Sequence, residues 1–183
     1  MSELHIQRSV AGIRGLCVID PAVFMDNREY LFETYNENKF INEGLDMHFV
    51  QDNQVYSRKG VLRGMHVNVM HPQGKLIRVC KGRIFDVVVD LRKESKTYKK
   101  WYGVELSDEN KKQLYIPERM GHGYLALTDA EVLFKVTTHY IPNDEIGFSW
   151  RSKELSIAWP INEIEVIQNE ADKSSRDLSK MGF

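Results

Sequence analysis

Between Gly60 and Trp150 the sequence is a succession of short β-rich segments with a turn about every ten residues, and this spacing constrains the fold more than any other feature. The runs 107–110, 117–119 and 128–130 are rich in turn-forming residues. The segments that they separate are Trp101–Leu106, Gln113–Ile116, His122–Leu127 and Val132–Tyr140. Many short strands at this spacing predict an antiparallel sandwich or barrel.

Two further segments, Leu76–Cys80 and Arg83–Leu91, flank Lys81-Gly82, which is typical of a hairpin turn. Alternation within the second segment places acidic and aliphatic side chains together on one face, namely Ile84, Asp86, Val88 and Asp90. Such a face is not a plain dry core. The pattern therefore favours a jelly roll whose interior is lined for a ligand.

Helical segments are few. One helix is predicted around Asn36 to Leu45, with Gly44 near its end. The acidic, serine-containing tail after Pro160 predicts a loop or a short helix. Because no repeat or Gly/Ser linker divides the chain, residues 1–183 are expected to form a single domain.

Composition limits the partners and the cellular location that we expect for the protein. The net charge is −1 and no Lys/Arg-rich block stands out, which argues against nucleic acid or an anionic membrane as the main partner. The N-terminus is polar, and no apolar run approaches the ~20 residues that span a bilayer. Cys17 and Cys80 are too far apart for a disulfide framework or a thiolate metal site. We expect a cytoplasmic protein with two free thiols.

Two of the six histidines stand in unusual surroundings. His66 follows Arg63-Gly64-Met65, where glycine permits close backbone approach, and His122 begins another strand-like segment. A metal site in a barrel of this type usually needs a second histidine two residues on, but that position holds Asn68. We therefore expect no metal and no other cofactor. His66 is then free to act as a general base, with Lys75 available to stabilise an oxyanion.

The run KGVLRGMH (59–66), followed by the continuous stretch 72–127, resembles the dTDP-4-dehydrorhamnose 3,5-epimerases. The resemblance extends upstream through 24–35 and 49–54, and downstream to Ala158-Trp159-Pro160. It implies a cupin-type double-stranded β-helix (jelly roll) with short peripheral helices. It also implies a homodimeric, metal-independent isomerase that acts on a nucleotide-diphosphate sugar in deoxysugar biosynthesis.

The resemblance implies a role for individual residues. His66 matches the base that removes a proton next to the C-4 ketone, Asp172 matches the aspartate that holds its tautomer, and Lys75 matches the lysine near the C-4 oxygen. Several further positions match substrate contacts: Arg28, Glu33, Gln51, Asn53, Arg63, His122, Tyr140 and Glu145.

One position departs from the family pattern. The family's second proton-transfer residue is a tyrosine, and here the segment AEVLFKVTTHY (130–140) places Phe134 at that position. A phenyl ring neither donates nor accepts a proton. The second proton transfer therefore uses water or another side chain, or it does not take place. Tyr140 is about 20 Å away along an extended strand, which is too far. Tyr124 is the better candidate if a hairpin pairs it with Phe134 rather than with Lys135.

Two smaller departures concern the substrate. His139 stands where the family often has an aromatic residue near the nucleotide base, and Ala171 replaces a common lysine. We expect epimerisation at C-3, with C-5 left open, of a nucleotide-linked 4-keto-6-deoxy sugar such as dTDP-4-keto-6-deoxyglucose. Two alternatives stay open at this point: a sugar 3,4-ketoisomerase, and a sugar-nucleotide binding protein that has lost catalysis.

Overall fold

The computed structural model describes residues 4–182, and its regular structure is mostly β-strand. The strands are β1 His5–Arg8, β2 Cys17–Asp20, β3 Phe24–Met25, β4 Tyr30–Leu31, β5 Gln51–Ser57, β6 Leu62–Asn68, β7 Lys75–Lys81, β8 Arg83–Asp90, β9 Trp101–Ser107, β10 Gln113–Ile116, β11 Met120–Ala126, β12 Ala130–Val136 and β13 Glu145–Gly147. The helices are α1 Glu37–Asn42 and α2 Glu170–Lys173, with 3₁₀ turns at Val10–Gly12 and Leu178–Lys180.

Two antiparallel sheets pack face to face. The six-stranded sheet has the order β1-β2-β10-β7-β12-β5, and the five-stranded sheet has the order β13-β6-β11-β8-β9. Side chains of both sheets form the core between them, among them Ile77, Leu114, Ile84 and Val88. This is the predicted cupin-type jelly roll with short peripheral helices, so that prediction is confirmed.

The connection between β7 and β8 differs from the expectation. Lys81-Gly82 does not turn a hairpin, because β7 belongs to the six-stranded sheet and β8 to the five-stranded one. The chain turns a corner from one sheet to the other here. Gly82 has φ +78°, and a Cβ on it would come within 2.0 Å of the Asp129 carbonyl oxygen. The glycine is thus explained by a crowded corner rather than by a hairpin.

The connection between β11 and β12 also joins the two sheets, so neither hairpin register proposed for Tyr124 exists. Tyr124 pairs instead with Asp86 on β8 and Arg63 on β6. Phe134 pairs with residues of β5 and β7, on the opposite sheet. The two aromatic residues therefore belong to opposite walls of the interior.

The predicted helical segments are present. Asn36 caps α1 by accepting a hydrogen bond from the Lys39 backbone N–H, and Gly44 follows the helix with φ +69°. The tail after Pro160 contains α2 and one 3₁₀ turn. Among residues 4–182 no helix is long and apolar enough to cross a membrane.

Candidate active site

A cleft lies between the two sheets, and the space within it, which is continuous with solvent, is about 830 Å³. Both sheets and the loops next to them line the cleft. The five-stranded sheet contributes Arg63, His66, Asn68, His122, Tyr124 and Glu145. The six-stranded sheet and its neighbouring loops contribute Gln51, Asn53, Gln73, Lys75, Ile77, Val132, Phe134, Val136 and Tyr140. Eight of the eleven residues predicted to act in catalysis or to contact the substrate thus line one cleft, together with Phe134.

His66 is paired with a buried carboxylate. Its Nε2 lies 2.7 Å from Oδ1 of Asp172, whose side chain is only 3% exposed. Burial alone would raise the pKa of Asp172, but the hydrogen bond with His66 and the Gly64 backbone N–H bring the net pKa below its ordinary value. The ionised carboxylate only accepts hydrogen bonds, so Nε2 carries the proton. Nδ1 of His66 is left as the basic nitrogen.

Asp172 comes from the C-terminal tail, which runs beside β6. The Leu62 N–H donates to the Ile167 carbonyl oxygen (2.9 Å), and the Ile167 N–H donates to the Gly60 carbonyl oxygen (2.8 Å). The Asn169 side chain then caps α2 by accepting from the Asp172 N–H at 2.7 Å. These contacts place the carboxylate behind the histidine.

Gly64 allows the strand that carries His66 to lie close to its neighbour. Its φ is +106°, and a Cβ there would approach the His122 carbonyl oxygen to 2.7 Å and the Gly123 Cα to 2.8 Å. The Gly64 N–H also donates to Oδ2 of Asp172 (3.2 Å). The expected close backbone approach at Gly64 is therefore present, and it fixes the second oxygen of the aspartate.

Glu145 lies between the base and a lysine. Its Oε2 is 3.5 Å from Nδ1 of His66, and its Oε1 is 4.0 Å from Nζ of Lys75. The Lys75 side chain is only 12% exposed. Burial lowers the pKa of Lys75 below its ordinary value of 10.5, and the Glu145 carboxylate partly offsets this. Because its nearest carboxylate is 4.0 Å away, this buried ammonium keeps N–H donors that are suited to stabilise a developing oxyanion.

His122 forms a second histidine–aspartate pair next to the first. It lies opposite His66 across β6 and β11, and its Nε2 is 3.0 Å from both oxygens of Asp86, which is 0% exposed. The alternation pattern had placed Asp86 on an interior face, but nothing in the sequence named His122 as its partner. Asp86 is thus a site residue that sequence reasoning did not assign.

The mouth of the cleft is polar. The Gln51 side chain donates to the Asn53 side chain (2.8 Å) and accepts from the Tyr140 backbone N–H (3.0 Å). Tyr140 itself is 69% exposed. Two further polar residues of the cleft, Asn68 and Gln73, were not among the predicted site residues.

Arg28 and Glu33 do not line the cleft of their own chain. Arg28 lies on the exposed turn between β3 and β4 and pairs with Asp26 at 2.8 Å, while Glu33 pairs with Lys39. Their predicted role as substrate contacts stays a prediction. Within the described residues no group of three or more His, Cys, Asp or Glu side chains is arranged to hold a metal ion.

The model of one protein family, dTDP-4-dehydrorhamnose 3,5-epimerase, matches residues 11–180. The chain belongs to this family. A dTDP-4-dehydrorhamnose 3,5-epimerase from Methanothermobacter thermautotrophicus is 46% identical over 166 residues, which cover 90% of each chain. One from Salmonella typhimurium is 44% identical, over 83% of this chain and 85% of its own. The predicted enzyme class, an isomerase, is confirmed.

Solved structures of similar proteins share the fold. A dTDP-6-deoxy-D-glucose-3,5-epimerase from Legionella pneumophila, in complex with dTDP-4-keto-L-rhamnose, superposes with a TM-score of 0.92 at 35% identity, over 98% of this chain and 95% of its own. A 3'-monoepimerase from Streptomyces bikiniensis, in complex with dTDP-quinovose, has a TM-score of 0.85 at 28% identity, over 98% and 88%. The fold thus occurs both with 3,5-epimerase activity and with 3'-monoepimerase activity.

Proposed function

We propose that the protein epimerises C-3 of a dTDP-linked 4-keto-6-deoxy sugar. The observation that carries this proposal is the His66–Asp172 pair, which leaves Nδ1 of His66 as a basic nitrogen in a cleft that also holds Lys75. The dTDP-sugar complexes of the two similar structures support the nucleotide. Arg63 lines the same cleft, and its forked guanidinium suits a diphosphate.

The proposed reaction begins with transfer of the C-3 proton to Nδ1 of His66. The electrons of the C–H bond form a double bond between C-3 and C-4, and the negative charge moves to the C-4 oxygen. Lys75 stabilises this enolate, and Asp172 stabilises the imidazolium. A proton delivered to the opposite face of C-3 restores the ketone with inverted configuration. Because Phe134 carries no exchangeable proton, it does not take part in that second step.

Incubation with dTDP-4-keto-6-deoxyglucose in deuterated water tests the proposal. We expect deuterium at C-3 well before C-5, together with a product inverted at C-3, measured by NMR and mass spectrometry. Prompt deuterium at both carbons with a rhamno-configured product would refute the single-centre proposal. A 3-keto product would identify a ketoisomerase, and ligand binding without any exchange would identify a binding protein.

The buried lysine predicts an alkaline limit to activity. Lys75 stabilises an oxyanion only as a cation, and its lowered pKa means that the cation is lost at a lower pH than for an exposed lysine. We therefore expect kcat/KM to fall as pH rises, with a midpoint below 10.5. Glu145→Gln should move this midpoint to lower pH, because the carboxylate that favours the ammonium is gone. A wild-type midpoint at or above 10.5 would contradict the prediction.

A homodimer is part of the proposal. The β3–β4 hairpin exposes several large apolar side chains, a feature typical of protein interfaces: Phe24 (55%), Met25 (74%), Tyr30 (50%) and Leu31 (69%). Arg28 lies on the turn of the same hairpin. A dimer that buries this hairpin against a second copy is one way in which Arg28 would take part in a substrate site. The cytoplasmic location predicted from the sequence stays a prediction.

A further inference from the structure

Inversion at C-3 requires a proton donor on the face of the sugar that is turned away from His66. His66 lies on β6, in the five-stranded sheet, so the opposite wall is formed by β5, β7 and β12. The cleft residues on these strands are mostly apolar or amides, which do not act as acids at neutral pH: Gln51, Asn53, Ile77, Val132, Phe134 and Val136. The remaining cleft residue of these strands, Lys75, already has a different task in the proposed reaction, which is to stabilise the enolate oxygen.

Tyr124 reaches that wall from the other sheet. It begins on β11, and its hydroxyl oxygen lies 2.9 Å from Oγ of Ser57, at the end of β5 in the six-stranded sheet. Packed sheets are about 10 Å apart, so this side chain spans the interior. Tyr124 is 3% exposed and lines the cleft together with Phe134 and Val132.

The position of Ser57 on β5 shows how deep in the cleft the Tyr124 hydroxyl lies. Ser57 pairs with Ala130, whereas Asn53, four residues earlier on β5, pairs with Phe134. The Tyr124 hydroxyl therefore lies deeper in the cleft than the Phe134 ring, at its buried end. The other tyrosine of the cleft, Tyr140, is exposed at the mouth. Among the residues that line the cleft, Tyr124 is thus the only buried phenol.

We propose that the Tyr124 hydroxyl, held by Ser57, delivers the proton to the face of C-3 opposite His66. The O–H bond breaks, a C–H bond forms at C-3, and the enolate electrons return to restore the ketone. The Ser57 hydroxyl then donates to the phenolate until water reprotonates it, while His66 releases its proton to water. This inference rests on the proposed function, because it supplies the second half of the same reaction.

The electrostatics of Tyr124 suit a donor. Burial raises its pKa above the ordinary value of 10.0, which the hydrogen bond with Ser57 partly offsets. The phenol is therefore protonated at neutral pH and holds a proton to give. Phe134 has no such proton, and the proposed donor lies on a different strand in the other sheet.

The test measures two rates on the same sample in deuterated water, exchange at C-3 and inversion at C-3. Tyr124→Phe is expected to keep the exchange that His66 starts, but to lower the ratio of inversion to exchange about 10²-fold. The matched control is Tyr102→Phe, which removes the hydroxyl of a partly buried tyrosine of the core outside the cleft. An unchanged ratio in Tyr124→Phe, or loss of exchange and inversion together in a folded protein, would overturn the inference.

Ser57→Ala gives a second test that leaves the phenol in place. It removes only the partner of the hydroxyl, and we expect the ratio of inversion to exchange to fall several-fold. If Tyr124→Phe does not fold, as judged by thermal unfolding, an unchanged ratio in Ser57→Ala overturns the inference. Failure of the proposed function itself is distinguishable, because the wild-type protein would then show no His66-dependent exchange at C-3.

Discussion

His66→Asn is expected to lower deuterium exchange at C-3 of the 4-keto sugar by about 10²- to 10⁴-fold. Asparagine keeps a polar side chain but has no basic nitrogen, so proton abstraction loses its acceptor. The hydrogen bond to Asp172 is short and the carboxylate is buried, so the imidazole is held in one tautomer, with the proton on Nε2 and none on Nδ1. No other basic nitrogen of the cleft is arranged in this way beside both Asp172 and Glu145.

The measurement is single-turnover exchange in deuterated water, read by NMR at C-3, together with binding of dTDP. Binding of dTDP should persist in the variant, which separates lost chemistry from lost structure. The control is His48→Asn, because the His48 side chain is 82% exposed and lies outside the cleft. Exchange at the wild-type rate in His66→Asn would eliminate this histidine as the base.

Asp172→Asn examines the same pair from the other side. An amide in place of the carboxylate both donates and accepts, so it no longer enforces a proton on Nε2 of His66. It also withdraws the negative charge that stabilises the imidazolium. We expect a loss of exchange approaching that of His66→Asn, although every other group of the cleft remains. The two losses should not add in the double variant, because the residues act as one unit.

Lys75→Met, at the other catalytic group of the cleft, is also expected to have a large effect, a fall of about 10²- to 10³-fold in exchange at C-3. Methionine preserves the length and apolar stem of lysine while it removes the ammonium. The side chain lies largely buried on β7, and its nearest carboxylate is 4.0 Å away on Glu145. In such surroundings an oxyanion depends on a placed cation more strongly than it would in water.

Two control variants test whether the effect of Lys75→Met comes from loss of the Lys75 charge. Lys81→Met changes a lysine at the far, exposed end of the same strand and should leave exchange unaffected. Lys75→Arg keeps a cation that does not lose its proton, so it should retain part of the activity and abolish the alkaline midpoint assigned to Lys75. Wild-type exchange in Lys75→Met would show that the enolate is stabilised elsewhere in the cleft.

Local patterns in the sequence were sufficient for much of the fold. Strand segments at short spacing, the helix capped by Asn36 and the special backbone at Gly64 were all predicted from neighbouring residues. Alternation along β8 placed Asp86 in the interior, and there it pairs with His122. These features depend on the period of two in a strand and on the conformational freedom of glycine, which a few consecutive residues reveal.

The local sequence did not show which of the two sheets each strand joins. Lys81-Gly82 and the 127–129 connection both resemble hairpin turns, yet each carries the chain from one sheet to the other. A turn motif describes the connection itself, whereas the partner of a strand is chosen by contacts with residues far away in the chain. The position of Tyr124 across from Ser57, 67 residues apart, follows from those contacts.

The role proposed for His66 depends on both the sequence and the tertiary structure. The sequence by itself determined a jelly roll, a histidine beside a special glycine and a phenylalanine where the resembled family has a tyrosine. Only the tertiary structure decided which nitrogen of His66 is unprotonated, because its partner Asp172 lies 106 residues away on a tail docked beside β6. The physical reason is that side-chain periodicity is local, whereas a buried carboxylate takes its place through packing and backbone hydrogen bonds made across the whole chain.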